Sequence, residues 1–259
     1  MADFLDTLAQ SAKVTIDSGY YEPLTEVATS RVSLKKAILE ANNAPVITEI
    51  KAASPSAGAI RENVEPCSIA ENMEKGGAVG LSVLTEPKHF AGSLRSLVEA
   101  RRTVKVPILM KDIILSAVQV EAASKLGASV VLLIKALFDR GYCECNLSYM
   151  ISTAHSKNLE VLLETHTAEE FAVAVTTQAD LVGINNRDLA TLKVDLGVTK
   201  RILEQNNAKG RIVVSESGIS TPADVRFLRQ CGAQAFLVGS AVMLADNVEE
   251  KVMELVSAL

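Results

Sequence analysis

From Pro45 onward, short runs of β-branched and aliphatic residues alternate with longer stretches whose apolar positions recur at helical spacing, the pattern of strand–helix units repeated around a parallel sheet. Eight runs are present: 46–50, 80–84, 106–110, 129–134, 159–163, 181–184, 211–214 and 235–238. Their starts recur every 22 to 34 residues, room for one strand, one helix and two loops. The intervening stretches carry helix punctuation. Ser93 and Ser116 stand where a hydroxyl caps the first free N–H groups of predicted helices over 93–102 and 116–126. Thr221-Pro222-Ala223-Asp224 places a cap, a first-turn proline and a first-turn acid in order. Gly76-Gly77, Gly127 and Gly232 fall where a left-handed residue ends a helix.

The pattern predicts an α/β protein, a single (β/α)8 barrel over residues 45–259 with a helical extension over 1–44. Two helical stretches, 4–18 and 33–42, make up the extension, which either packs beside the barrel or covers one of its ends. The length of 259 residues suits one barrel of roughly 250. Hydrophobic residues make up 48% of the chain, but the longest apolar runs are about 5 to 7 residues, against roughly 20 for a membrane span. Met1-Ala2-Asp3-Phe4 lacks the basic and apolar regions of a secretory signal, so a cytoplasmic location is expected. A net charge of −5 without a basic block argues against nucleic acid as a partner. Cys67, Cys143, Cys145 and Cys231 lack metal-knuckle spacing and read as reduced thiols. His89, His155 and His166 have no paired spacing, so no metal is expected.

Strands of a parallel barrel are buried on both faces, and an ionisable group at a strand end therefore needs a reason. Such groups gather at the C-terminal ends, where barrel enzymes place their sites. They are Glu49 and Lys51 on the first run, Lys111-Asp112 on the third, Lys135 on the fourth, Glu164 on the fifth, Asn185 and Arg187 on the sixth, and Ser215-Glu216-Ser217 on the seventh. Residues two apart on a strand share a face, so Glu49 and Lys51 both project into the mouth. Lys111 and Glu164 at matching ends make an isolated structural ion pair a poor account of them. Lysines crowded by other cations lose basicity and become acids, while neighbouring carboxylates act the other way. Asp112 alternates to the opposite face, where it caps or pairs. Lys135 is either a further site lysine or a solvated loop residue. Gly218 after the seventh run and Gly239-Ser240 after the eighth, ahead of a helix expected near Ala241, form a cradle for phosphate.

These residues resemble the indole-3-glycerol phosphate synthase family. The resemblance covers about Pro45 to Met243 and is carried by Glu49-Ile50-Lys51 through Ser54-Pro55-Ser56, Ser82 to Thr85 leading to Phe90-Ala91-Gly92-Ser93, Met110-Lys111-Asp112, Leu163-Glu164, Gly183-Ile184-Asn185-Asn186-Arg187-Asp188-Leu189, Ser215 to Ile219 and Leu237-Val238-Gly239-Ser240. It implies closure of an indole ring from 1-(2-carboxyphenylamino)-1-deoxyribulose 5-phosphate, with loss of carbon dioxide and water and without cofactor or metal. By resemblance Lys111 is the acid at the ketone and Lys51 holds the substrate carboxylate. Glu164 assists proton transfer, and Glu49 orients Lys51 or accepts a proton. Asn185, Arg187, Glu216 and Ser217 match substrate contacts, and Ser54, Gly218, Gly239 and Ser240 match phosphate contacts. Phe90, Leu189, Leu237 and Ile113 surround the aromatic ring. Two positions depart from the family, Ile113 where phenylalanine is usual and Ala52 where a basic residue is usual. The expected partners are a small phosphorylated substrate and other enzymes of tryptophan synthesis, with the chain a monomer or a weak homo-oligomer. A related isomerase barrel would carry a cysteine base at the end of the first strand, and this chain has none there. A non-catalytic barrel would be expected to lose a strand-end lysine or the glycine turns, and all remain.

Overall fold

Eight parallel strands close into a barrel in the computed structural model, which describes residues 3–22, 25, 27, 32–54, 58–59 and 65–259. The strands are β1 (Val46–Ile50), β4 (Gly80–Leu84), β5 (Ile108–Lys111), β6 (Val130–Ile134), β7 (Glu160–Thr165), β8 (Leu181–Asn185), β9 (Ile212–Glu216) and β10 (Ala235–Val238). Between the first two lies a small antiparallel pair, β2 (Ala53–Ser54) and β3 (Gly58–Ala59). The helices are α1 (Phe4–Asp17), α2 (Leu34–Glu40), α3 (Pro66–Lys75), α4 (Leu94–Thr103), α5 (Ala117–Lys125), α6 (Lys135–Asp139), α7 (Leu147–Ser156), α8 (Ala168–Ala174), α9 (Gly197–Gln205), α10 (Pro222–Gln230), α11 (Ser240–Met243) and α12 (Val248–Val256). Neighbours in the barrel follow chain order, and β10 pairs with β1 to close it.

All eight predicted runs are strands, with ends shifted by at most two residues. The third begins at Ile108 rather than Val106 because Pro107 has no N–H to give a ladder, although its carbonyl still accepts from Leu81. Ser93 and Ser116 cap α4 and α5, and Thr221 and Asp224 cap α10 reciprocally. Gly77, Gly127 and Gly232 have φ of 92°, 82° and 108°, and close α3, α5 and α10. Gly76 instead remains right-handed, with φ −66°.

The two helices of the extension close opposite ends of the barrel. Leu34 and Ile38 of α2 join the apolar cluster inside the barrel. A Cβ on Gly80, at the start of β4, would meet the Leu34 side chain at 2.7 Å. The Glu160 carboxylate at the start of β7 accepts the N–H groups of Leu34 and Lys35 at 2.8 and 3.1 Å. Helix α2 therefore plugs the N-terminal end. Helix α1 lies over the other end, where Leu5 and Leu8 line the mouth.

Lys135, left open by the sequence, is buried at the start of α6 and ion-paired with Asp139, so it is not a solvated loop residue. Asp112 is buried and accepts from Tyr21 at 3.0 Å and from the Thr85 hydroxyl and the Ile113 N–H. Burial, only partly offset by those donors, pushes its pKa up to about 6.

The cap on α10 closes the loop that follows β9, with Thr221 and Asp224 each accepting a backbone N–H of the other. Thr221→Ala should lower stability by about 1 kcal/mol, read as a reduced Tm.

Candidate active site

In barrels of this kind, alternate strands contribute side chains to shared interior layers. Ile47, Leu109, Leu162 and Val214, on β1, β5, β7 and β9, all belong to the apolar cluster inside the barrel. Two residues further along the same strands stand Glu49, Lys111, Glu164 and Glu216. The two-residue period of a strand thus turns an apolar layer into an ionic one at the mouth.

Lys111 holds that layer together. Its Nζ lies 3.0 Å from Glu216 Oε2, 3.5 Å from Glu49 Oε2 and 3.9 Å from Glu164 Oε2. Burial by itself would lower its pKa, but Glu216, Glu49 and Glu164 outweigh burial and raise it well above the ordinary lysine value. Of the two opposing influences weighed from the sequence, that of the carboxylates prevails at Lys111, which those of three other strands surround. Glu49 is opposed by burial but held below the ordinary carboxylate range by Lys51 and Lys111. Lys51 Nζ pairs with Glu49 Oε1 at 2.9 Å, and the Ser82 hydroxyl donates to Oε2 at 3.4 Å. Burial also opposes ionisation of Glu164, yet His166, Lys111 and Asn185 bring its pKa down. Glu216 moves upward, because burial and the charges of Glu164 and Glu49 exceed what Lys111 returns. Its Oε1 is buried without a hydrogen-bond partner and faces Gly183, where a Cβ would collide with it.

A cleft with about 820 Å³ of free space opens above this layer. Phe90, Ile113 and Leu189 line it with Phe4 and Leu8 of α1, and Lys51, Lys111 and Glu164 supply charged groups to the same lining. Asn185 and Arg187 line it as well. Arg187 Nη1 donates to Leu192 O at 2.9 Å, fastening the loop after β8. The neighbouring Asn186 is buried, bridging Ser215 and Thr199 at 3.0 and 2.8 Å, so it fixes the backbone that aims Asn185 and Arg187.

An adjoining cavity shares Lys51, Lys111 and Ser217 and is lined beyond them by Gly218, Leu237, Gly239 and Ser240. Ser217 and Gly218 both have positive φ, 70° and 84°, and Ser217 is a non-glycine residue held in a costly conformation at the end of β9. A Cβ on Gly239 would lie 2.5 Å from Glu49 Oε1 and 2.8 Å from Lys51 Nζ, so a side chain there would displace the ion pair. Helix α11 starts at Ser240 and is 4 residues long, so its contribution is the free N–H groups of one turn rather than a long helix dipole.

The structure brings together Glu49, Lys51, Lys111, Glu164, Asn185, Arg187, Glu216 and Ser217, with Phe90, Ile113 and Leu189 on the apolar wall and Gly218, Gly239 and Ser240 on the far side. Leu237 lines the cavity that holds Gly239 and Ser240 and belongs to the same apolar cluster as Phe90, Ile113 and Leu189. Ser54 has its backbone in β2, and its side chain is outside the described residues. Sequence reasoning missed His166, whose Nε2 lies 3.3 Å from Glu164 Oε1. The two-residue spacing that linked Glu49 to Lys51 also links Glu164 to His166.

The fold and its mouth define a (β/α)8 barrel with an ionic strand-end layer between an apolar wall and a glycine cradle. Residues 6–255 match the family profile described as indole-3-glycerol phosphate synthase. A relative of that name from Methanocaldococcus jannaschii is 43% identical, covering 87% of this chain and 84% of the relative. Another of the same name, from Aromatoleum aromaticum, is 40% identical over 96% of this chain and 97% of its own length. The chain belongs to the indole-3-glycerol phosphate synthase family. Among solved structures, thiamine phosphate pyrophosphorylase from Pyrococcus furiosus shares the fold at a TM-score of 0.60 and 20% identity, covering 86% of this chain and 96% of that one.

Removing the central cation leaves buried carboxylates uncompensated. Lys111→Met should cost about 3 to 5 kcal/mol in denaturant unfolding at pH 8. Without Lys111 the folded-state pKa values of the carboxylates rise above their unfolded values. Protonation then favours the fold, and the deficit should shrink as the pH falls toward 5. An equal deficit at both pH values would count against the ionic layer described above.

Proposed function

We propose that the strand-end layer carries out the family's ring closure on 1-(2-carboxyphenylamino)-1-deoxyribulose 5-phosphate, giving indole-3-glycerol phosphate, carbon dioxide and water. As a family member the chain is a carbon–carbon lyase of tryptophan biosynthesis. The observation that carries the assignment of roles is Lys111 Nζ, fully charged among three carboxylates and facing a cleft with one apolar and one glycine-lined end.

The substrate's phosphate is assigned to the turns at Gly218 and Gly239-Ser240, with Ser54 as a further contact, and its aromatic ring to Phe90, Ile113 and Leu189. Ile113 in place of the family's phenylalanine keeps that wall apolar but gives up one ring–ring contact. Lys51, beside the glycine turn, holds the substrate carboxylate, and Glu49 fixes Lys51. Lys111 meets the ketone oxygen, where its charge stabilises negative charge developing during closure and its proton can be delivered. Bond formation from the carboxylate-bearing ring carbon, followed by loss of carbon dioxide, restores aromaticity. Loss of the hydroxyl as water then requires a proton at the leaving oxygen, assigned to Lys51 or Lys111, and removal of a proton from the new ring, assigned to Glu164. Asn185, Arg187, Glu216 and Ser217 contact the sugar chain and hold it in register.

This reading includes a cytoplasmic location, a monomer or weak homo-oligomer, and association with other enzymes of the same pathway. No helix among the described residues is long and apolar enough to cross a membrane.

Incubation of the purified chain with that substrate should produce indole fluorescence without added metal, and no signal from folded protein would overturn the proposal. Lys111→Ala should lower kcat by about 10²-fold or more, the scale of a lost general acid. Ser240→Asp, which sets a negative charge at the phosphate end, should raise KM more than it lowers kcat.

A further inference from the structure

The described mouth sets two ammonium groups, Lys51 and Lys111, against three carboxylates, Glu49, Glu164 and Glu216. His166 supplies a further cation beside Glu164. It follows Glu164 by two positions at the end of β7 and shares its face, with 11% of its side chain exposed. Nε2 lies 3.3 Å from Glu164 Oε1, and Nδ1 lies 3.6 Å from Glu170 Oε2.

Glu170 is itself pinned by the start of α8. Thr167 accepts the Glu170 N–H at 3.2 Å, and the Glu170 carboxylate reaches back to the His166 N–H at 2.7 Å. Each ring nitrogen is buried and faces a carboxylate at ion-pair distance without an aligned hydrogen bond, an arrangement that favours the doubly protonated, charged ring. Burial opposes that charge, but Glu164 and Glu170 outweigh it and push the His166 pKa up to about 9. Other charges nearby are Asp188 after β8 and Lys135 of α6, which acts on Glu170. Asp3, Arg140 and Arg187 line the same side cavity as His166.

We propose that His166, clamped between Glu164 and Glu170, is a positioning residue that keeps the Glu164 carboxylate ionised and fixed in orientation as the proton acceptor of the reaction. The two oxygens of Glu164 then have separate anchors, His166 on Oε1 and Lys111 on Oε2. When Lys111 turns to the substrate ketone, His166 and the Asn185 side chain are left to maintain the charge on Glu164. The inference rests on the proton-accepting role given to Glu164 above.

The test compares kcat against pH for the intact chain and for His166→Asn, Glu170→Gln and Glu164→Gln. The carboxylate must be ionised to accept a proton, and His166 lowers its pKa. Loss of the imidazolium should therefore move the acidic limb of the profile upward by about one unit, with KM little changed. At a pH below both limbs kcat then falls about tenfold. Glu170→Gln, which leaves the ring in place, should move the limb in the same direction by less and serves if His166→Asn does not fold. Ring 15N NMR is practical because the chain has 3 histidines, and His166 should remain cationic at pH 7 in the intact chain. A neutral His166 at pH 7, or an unmoved limb in folded His166→Asn while Glu164→Gln is inactive, overturns the proposal. Near-normal turnover by Glu164→Gln overturns instead the role of Glu164 on which it stands.

Discussion

One ammonium group, Lys111, lets three carboxylates share the top of a closed barrel. The strands that carry Glu49, Lys111, Glu164 and Glu216 alternate around the sheet, so their side chains converge on the axis in one layer. Without a cation at the centre, three buried acids a few ångströms apart would take up protons or force the mouth open. The other features of the mouth accommodate that arrangement. Gly183 leaves room for the Glu216 carboxylate, Gly239 lets the last turn pass the Glu49–Lys51 pair, and Ser82 supplies a hydroxyl to Glu49.

The same constraint fixes what the lysine can contribute. A lysine made less basic would donate its proton readily but would give little electrostatic help. Lys111 is in the opposite regime, more basic than a free lysine, so its resting state is a fixed positive charge. Such a charge is strongest in a cleft that excludes water, and α1 provides the cover with Phe4, Leu5 and Leu8. A substrate ketone that draws the ammonium away also weakens its hold on the carboxylates. The proton affinities of Lys111, Glu164 and Glu216 are therefore linked, and substrate binding perturbs all three.

Much of this was legible because a barrel strand is a simple ruler. Apolar runs marked the strands, and charged residues at the run ends marked the mouth, which gave Glu49, Lys51, Lys111 and Glu164 directly. Glu216 was visible as a strand-end acid, but its partner lies across the barrel and 105 residues away, a distance that no local pattern encodes. His166 was overlooked because the histidines were judged only by metal-ligand spacing, although its two-residue offset from Glu164 and the Thr167-x-x-Glu170 cap were both in the sequence. The extension gave helices without a destination. Which end of a barrel a helix covers depends on shape complementarity with strand ends, and Leu34 against Gly80 is a contact of that kind.

Placing a charged layer on an apolar one also separates the tasks of the two barrel ends. Ionic groups at the mouth desolvate at a cost that their mutual attraction only partly returns, so they add little net stability. Cohesion must come from below, from Ile47, Leu109, Leu162 and Val214 and from the α2 plug that seals the strand starts with Leu34 and Ile38. This division explains why the interior cluster runs continuously from that plug to the floor of the cleft. A mouth supported in this way keeps its ions in register when one of them is lent to a substrate. The stabilising contacts lie a layer away from the group that has to move.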